Sequence, residues 1–303
     1  MKPEDVSKEF EDIAKKWYDD AFVLRPSDVP DILYHYTDAK GLIGMVESGA
    51  VWATHCRYLN DKSEISYSKS IIAEIIQQRI ADNSFSSLNG FYSRVLHYQD
   101  SDAPDDVFIF SLSREEDDLS QWRGYAREGY GFTVGFDARK LYDLGTPEDA
   151  SFGFCRIDYD PLSQKRAFVS ALGEFEDKIS TMDGAADNKT LDDEAASWFD
   201  WLVENRASTN KHKSFRSENE WRLVSVIKNE FPDMIKIRSS GLNLVKYIPM
   251  ALSVDGGDEL PIVRIGIGPG FTGGEERSAV AALRAAHGYK PVIYAADTPF
   301  RRA

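Results

Sequence analysis

Short runs of β-branched and aromatic residues, spread unevenly along the chain, constrain its fold more than any other feature. Ile32–Tyr36, Val107–Ser113, Tyr130–Phe136 and Glu220–Ile227 read as strands, with shorter ones at Val51–Thr54, Phe152–Ile157, 234–238, 247–253, 262–267 and 291–295. Helical spacing occupies the intervals between them. Residues 3–22 place Val6, Phe10, Ile13, Ala14, Trp17 and Tyr18 on one stripe, and Ala39–Glu47 is stopped by Gly49. Ser63–Ala81 follows a capping-box pair, Asp61 and Glu64. Further helices are expected at 85–98, around 117–126 and at Glu275–His287, and most of 161–210 is helical, interrupted near Asp183–Gly184. Many short strands with helices on their flanks predict an α+β fold and not regular βαβ winding.

No linker or internal repeat divides the 303 residues. The expected organisation is one elaborated domain over 1–303, with an N-terminal helical segment at 1–30 and a helical insertion or lid at 161–212. The 17 Phe, 14 Tyr and 6 Trp suffice for a large core. A net charge of −14 argues against a general affinity for DNA or a membrane surface, since both favour a cationic face. No apolar run approaches the roughly 18 residues of a membrane span. Met1–Asp5 lacks the apolar stretch of a signal peptide, and Cys56 and Cys155 form no metal-binding spacing, so a cytoplasmic chain is expected.

Several segments carry candidate chemistry. In a strand Leu33, His35 and Thr37 face one way and Tyr34 and Tyr36 the other. His35 can hydrogen-bond a ribose hydroxyl, although a lone strand His more often serves the core. Glu218, Glu220 and Arg222 share a face if Ser217–Arg222 is extended, and an Arg beside two acids holds one of them ionised. A solvated ion pair is the plainer role. Ser111 and Ser113 place hydroxyls at a strand end, where they position a ligand or cap the next helix. Arg57 can pair with a phosphate and Tyr58 can stack on a ring, while Asn60 and Asp61 suit a loop entering a helix. Gly266–Gly270 lacks the Lys-Ser/Thr of a phosphate loop and reads as a turn; the Trp198–Trp201 helix reads as packing.

The segments LYHYTDAKGLIGMVESGAVWATHCRYLND, FSLSREEDDLSQWRGYAREGYGFTVGFD, FRSENEWRLV and PIVRIGIGP resemble the bacterial family called domain of unknown function 2971, over about residues 31–299 and least over 165–210. The Tyr-His-x-Thr opening also resembles ADP-ribosyltransferase folds, among them DNA-targeting toxins and RNA 2′-phosphotransferases. That resemblance implies split mixed and antiparallel sheets with flanking helices and a helical insertion, and NAD as substrate. It implies that His35, Tyr36 and Thr37 hold the ribose side, Glu220 is catalytic and Glu218 activates the acceptor. Ser111 and Ser113 match a Ser-Thr-Ser block, Tyr58 or Tyr125 would stack on nicotinamide, Trp122 would also bind the cofactor, and Arg57 would meet the pyrophosphate. His and Glu-x-Glu belong to different branches of that superfamily. The acceptor would be a protein, a nucleic acid or water, with no membrane involved. A toxin or phage-defence effector with an antitoxin or defence-system partner is likewise what the resemblance implies. Two other readings come from other classes: a non-catalytic ligand-binding or sensor module, and a nuclease binding Mg²⁺ through acids 218 and 220.

Overall fold

A computed structural model describes residues 3–59, 63–99, 106–145, 152–182, 187–227, 232–240, 243–252 and 259–299. Its elements, in chain order, are α1 (Pro3–Asp19), β1 (Ile32–Thr37), α2 (Ala39–Ser48), β2 (Ala50–His55), α3 (Ser63–Ala81), α4 (Asn89–Gln99), β3 (Asp106–Ser113) and α5 (Leu119–Tyr125). There follow β4 (Phe132–Asp137), α6 (Ala138–Gly145), β5 (Gly153–Arg156), α7 (Pro161–Thr181), α8 (Asn188–Ala207), β6 (Glu220–Ile227), β7 (Lys236–Ser240), β8 (Asn243–Ala251), β9 (Ile262–Ile267), α9 (Glu275–Ala286) and β10 (Val292–Ala295). The expected capping pair Asp61 and Glu64, the loop acid partner Asn60, and the Asp183–Gly184 break lie outside what the structure describes, Glu64 as to its side chain.

Local chemistry sets the ends of α2. Asp38 accepts the Gly41 N–H, and Gly49, in the left-handed region at φ 61°, returns its own N–H to the Met45 carbonyl. Such a cap contributes about 1 kcal/mol, and a left-handed stop favours glycine. The helix crosses between β1 and β2, which both pair antiparallel with β3 and so run in the same direction.

The described strands form one mixed, hydrogen-bonded sheet in the order β10-β9-β4-β1-β3-β2-β8-β7, with β6 on β3 and β5 on β6. Only β9 and β10 pair in parallel among these strands, joined by α9 as a single βαβ crossover. The sheet is therefore continuous where two separate sheets were expected. It forks at β3. One edge of β3 pairs with β6 along its whole length, from Asp106↔Ile227 to Ser113↔Glu220. The opposite edge is shared: β2 pairs at Phe108 and Ile109, β1 at Ser113, and no described residue pairs between them.

Apolar residues gather in two main cores. The first fills the sheet face under α2, α6 and α9, with Leu33, Phe108, Phe136, Leu141, Trp221 and Val280 among its members. The second joins α1, α3, α4, α7 and α8 through Phe10, Phe91, Phe175 and Phe199, with Phe10 stacked on Phe175 at 5.6 Å. This second core contains the helices of the segment 161–212, expected as a helical insertion or lid, while Lys211 at its end lines the small cavity described below. The apolar stripes of α7 and α8 face α1 and each other, and Trp198 donates to Ser7, so these helices form one bundle with the N-terminal segment. No residue of α7 or α8 lines the cavities described below. No helix among the described residues is long and apolar enough to cross a membrane.

Candidate functional site

The unpaired stretch of β3 is the centre of the site. A buried carbonyl at such a place needs a donor. His35 supplies it: its Nδ1 lies 2.8 Å from the Ser111 carbonyl oxygen, and its ring stacks on Phe110 at 4.3 Å. A carbonyl only accepts, so Nδ1 carries the proton and Nε2 is left as an acceptor. Burial pushes the imidazole down to about 4; the Ser111 carbonyl opposes this and the Arg238 charge adds to it. His35 is thus neutral near pH 7, in a fixed tautomer that can receive a hydroxyl hydrogen bond.

Across β3 stand the acids. Tyr34, Ser113 and Glu220 are consecutive cross-strand neighbours, as are Ser111 and Arg222, and these side chains share a face. Glu220 is buried. Arg222 donates to it from Nε at 2.7 Å and from Nη2 at 3.1 Å, and Lys211 from Nζ at 3.0 Å. Burial opposes ionisation of Glu220, but the two cations and their hydrogen bonds outweigh it and hold its carboxyl well below the usual range. Lys211 Nζ also meets Glu218 at 2.5 Å, and Tyr125 donates its hydroxyl to Glu218 at 3.0 Å. Burial and the Glu218 charge push the Tyr125 phenol upward, so it remains a donor.

Glu218 does not lie on the strand, contrary to the expected alternation. It ends a 3₁₀ turn, Lys213–Glu218, and Asn219 at φ 44° then reverses the backbone into β6. Asn is among the few side chains that accept this left-handed conformation readily. The turn brings Glu218 and Glu220 onto the same lysine. Ser113 is committed as well: it donates to the Glu218 carbonyl at 2.7 Å and accepts from the Glu115 N–H at 3.0 Å, while Asp118 caps α5.

His35, Tyr36, Ser111, Ser113, Tyr125, Glu218 and Glu220 all line one small cavity of about 70 Å³, together with Lys211 and Arg222. His35, Tyr36, Ser111 and Tyr125 also line a larger cleft of about 530 Å³, where Thr37 and Tyr58 join them. That size falls within the range of small-ligand sites. The cleft wall carries Lys40, Arg123, Arg127 and Arg238 against Asp38 and Glu128, a cationic balance in an acidic chain. Arg57 is exposed and lines neither space, because the 3₁₀ turn Cys56–Tyr58 directs Tyr58 to the cleft instead. Trp122 is fully buried beneath the site: it packs edge-on against Tyr36 at 4.9 Å and donates to Asp117 at 2.6 Å. Both residues therefore stand apart from the cavity. Of the segment 266–270, expected as a turn, Gly266 and Ile267 end β9 and a turn follows, with the Gly268 and Gly270 N–H groups donating to the Gly131 and Gly129 carbonyls.

Lys211, Tyr159 and Arg238 escaped the sequence reading. Lys211 follows a helix in a polar stretch and has no spacing signal, yet it is 3% exposed. Gln164 of α7 donates to the Lys211 carbonyl at 3.0 Å and so ties the helical bundle to the site. Tyr159 accepts the Glu220 N–H at 3.0 Å. Among the described residues no group of three or more His, Cys, Asp or Glu is arranged to hold a metal ion; the acids 218 and 220 face Lys211.

Residues 121–223 match the family model described as "Protein of unknown function (DUF2971)". The match supports that family. It runs from α5 into β6, includes Glu218, Glu220 and Lys211, and spans the helical stretch where the resemblance looked weakest. No curated protein and no solved structure matches the chain, so the resemblance to ADP-ribosyltransferases rests on residues alone.

Proposed function

We propose that the chain binds NAD and breaks its nicotinamide–ribose bond, passing ADP-ribose to a macromolecule or to water. The observation that supports this most is that His35 and Glu220, from strands far apart in sequence, line one cavity opening into a cationic cleft. The glycosidic bond breaks with its electron pair leaving on the nicotinamide nitrogen, and an oxocarbenium-like sugar remains. Glu220, held ionised by Arg222 and Lys211, stabilises that cation without needing to reorganise. His35 accepts from a ribose hydroxyl through Nε2. Glu218 takes the proton of the incoming acceptor as its oxygen bonds to the sugar carbon. Tyr125, hydrogen-bonded to Glu218 on the rim of both spaces, is better placed than Tyr58 to pack on the nicotinamide ring.

The test is nicotinamide release from NAD by the purified chain. Glu220→Gln, with its fold checked by circular dichroism, is expected to lower release by about 100-fold or more, in line with loss of a fixed charge opposite a developing one. Undiminished release in that variant removes Glu220 from the mechanism.

A second reading has one observation in its favour. Both oxygens of Glu220 are already occupied by cations. A carboxylate so satisfied also suits a module that holds the dinucleotide without cleaving it. NAD binding in titration calorimetry with no nicotinamide released would select that reading.

A further inference from the structure

Arg238 is a half-buried cation on the wall of the large cleft. It sits on β7 opposite Val245, on the face that carries Trp52, Thr54 and Tyr247 across β2 and β8. Its guanidinium carbon lies 5.9 Å from both the Trp52 and Tyr247 rings, and Nη2 donates to the Thr54 hydroxyl at 2.8 Å. Its Nε is buried with no hydrogen-bond partner, burial disfavours its charge, and the Asp38 charge opposes this from beyond ion-pair distance among the described residues. A charge so placed normally has a counter-ion, because desolvation is otherwise uncompensated. The aromatic rings hold the guanidinium plane in position but supply no negative charge. Lys40, in the first turn of α2, shares the wall and donates to the Ser239 hydroxyl at 2.6 Å. The acid nearby, Asp38, is taken by Arg127 at 3.2 Å.

We propose that Arg238, seconded by Lys40, anchors a pyrophosphate subsite in the large cleft. A fork of planar donors suits adjoining phosphoryl oxygens, and the position leaves the sugar end to reach His35. This assigns to Arg238 the part that the sequence offered to Arg57. It rests on the dinucleotide reading above and adds where the anionic half of that ligand lies.

The experiment is isothermal titration of the full chain with inorganic pyrophosphate, ADP-ribose and adenosine. Pyrophosphate and ADP-ribose bind, and both weaken by about tenfold or more in Arg238→Gln, the size expected for loss of a charge-assisted hydrogen bond. Arg57→Gln binds like wild type. The salt dependence of ADP-ribose binding becomes shallower in Arg238→Gln, while adenosine is unaffected. Unchanged ADP-ribose affinity in Arg238→Gln, or failure of pyrophosphate to bind the wild type, overturns the subsite. If Arg238→Gln does not fold, Arg238→Lys serves: severalfold weakening supports the fork, and wild-type affinity overturns it. Pyrophosphate binding that depends on Arg238 without any nicotinamide release sinks the enzymatic reading and keeps the subsite. Nicotinamide release with an unchanged KM for NAD in Arg238→Gln does the reverse.

Discussion

Replacing His35 with Gln tests whether the imidazole is locked neutral at the fork of the sheet. A Gln amide can still donate to the Ser111 carbonyl that His35 now satisfies at 2.8 Å, but it does not titrate. In the unfolded chain the imidazole titrates near 6.5, and in the folded chain at about 4. Between those values the unfolded state binds a proton that the folded state refuses. Stability therefore rises with pH through this window and is lost as pH falls from about 6.5 towards 4. A shift of this size corresponds to about 3 kcal/mol once both states are protonated, and to about 2 kcal/mol at pH 5. Water reaching the half-buried ring lowers the figure at pH 5 to between about 1 and 2 kcal/mol. Urea unfolding at pH 7.5 and pH 5 measures it. Wild type is expected to lose about 1–2 kcal/mol more than His35→Gln over that interval. Parallel losses in the two proteins would refute both the neutral imidazole and the tautomer drawn from it.

Arg222→Met leaves Glu220 buried with Lys211 as its remaining close cation, and is expected to cost about 3 kcal/mol in urea unfolding. Adding Glu220→Gln should recover part of that loss, and a single-variant cost under about 1 kcal/mol would show that Arg222 is not needed as a counter-charge. Asp200 on α8 has the opposite pH sign from His35. Burial, and then the Glu204 carboxylate one turn away, push it up to about 7, with Lys69 opposing. The folded chain keeps that proton between about pH 4 and 7 while the unfolded chain releases it, so stability falls as pH rises through the window. Asp200→Asn should therefore gain roughly 2 kcal/mol or more on wild type between pH 5 and pH 8, and an unchanged difference between the two would contradict this.

Much of the fold could be read from periodicity, because strand and helix patterns depend on neighbours in sequence. Val107–Ser113 and Glu220–Ile227 announced β3 and β6, and Gly49 announced the end of α2. The fork was not legible: which edge of β3 serves β1 and which part serves β2 is decided by packing between distant segments. The same division holds at the site. His35, Ser111 and Glu220 stand on strands whose alternation could be counted. The approach of Glu218 to Glu220 instead depends on one left-handed backbone at Asn219. Lys211 and Arg238 gave no sign at all, since a buried cation looks like an exposed one until its surroundings are known. Arg57 misled for the converse reason: its neighbours suit a ligand loop, but the turn carries its side chain into solvent.

One ladder bears the two arms of this sheet. Among the described strands, the arm ending in β10 and the arm ending in β7 are hydrogen-bonded to each other through β3, which β6 splints from end to end, and one apolar core packs across both. The cleft thus behaves like the angle of a bracket, braced along that seam and by the core packed behind it. Widening it means flexing that seam, and a molecule wedged into the angle would draw its grip from eight residue pairs lying on the far side of the strand it touches.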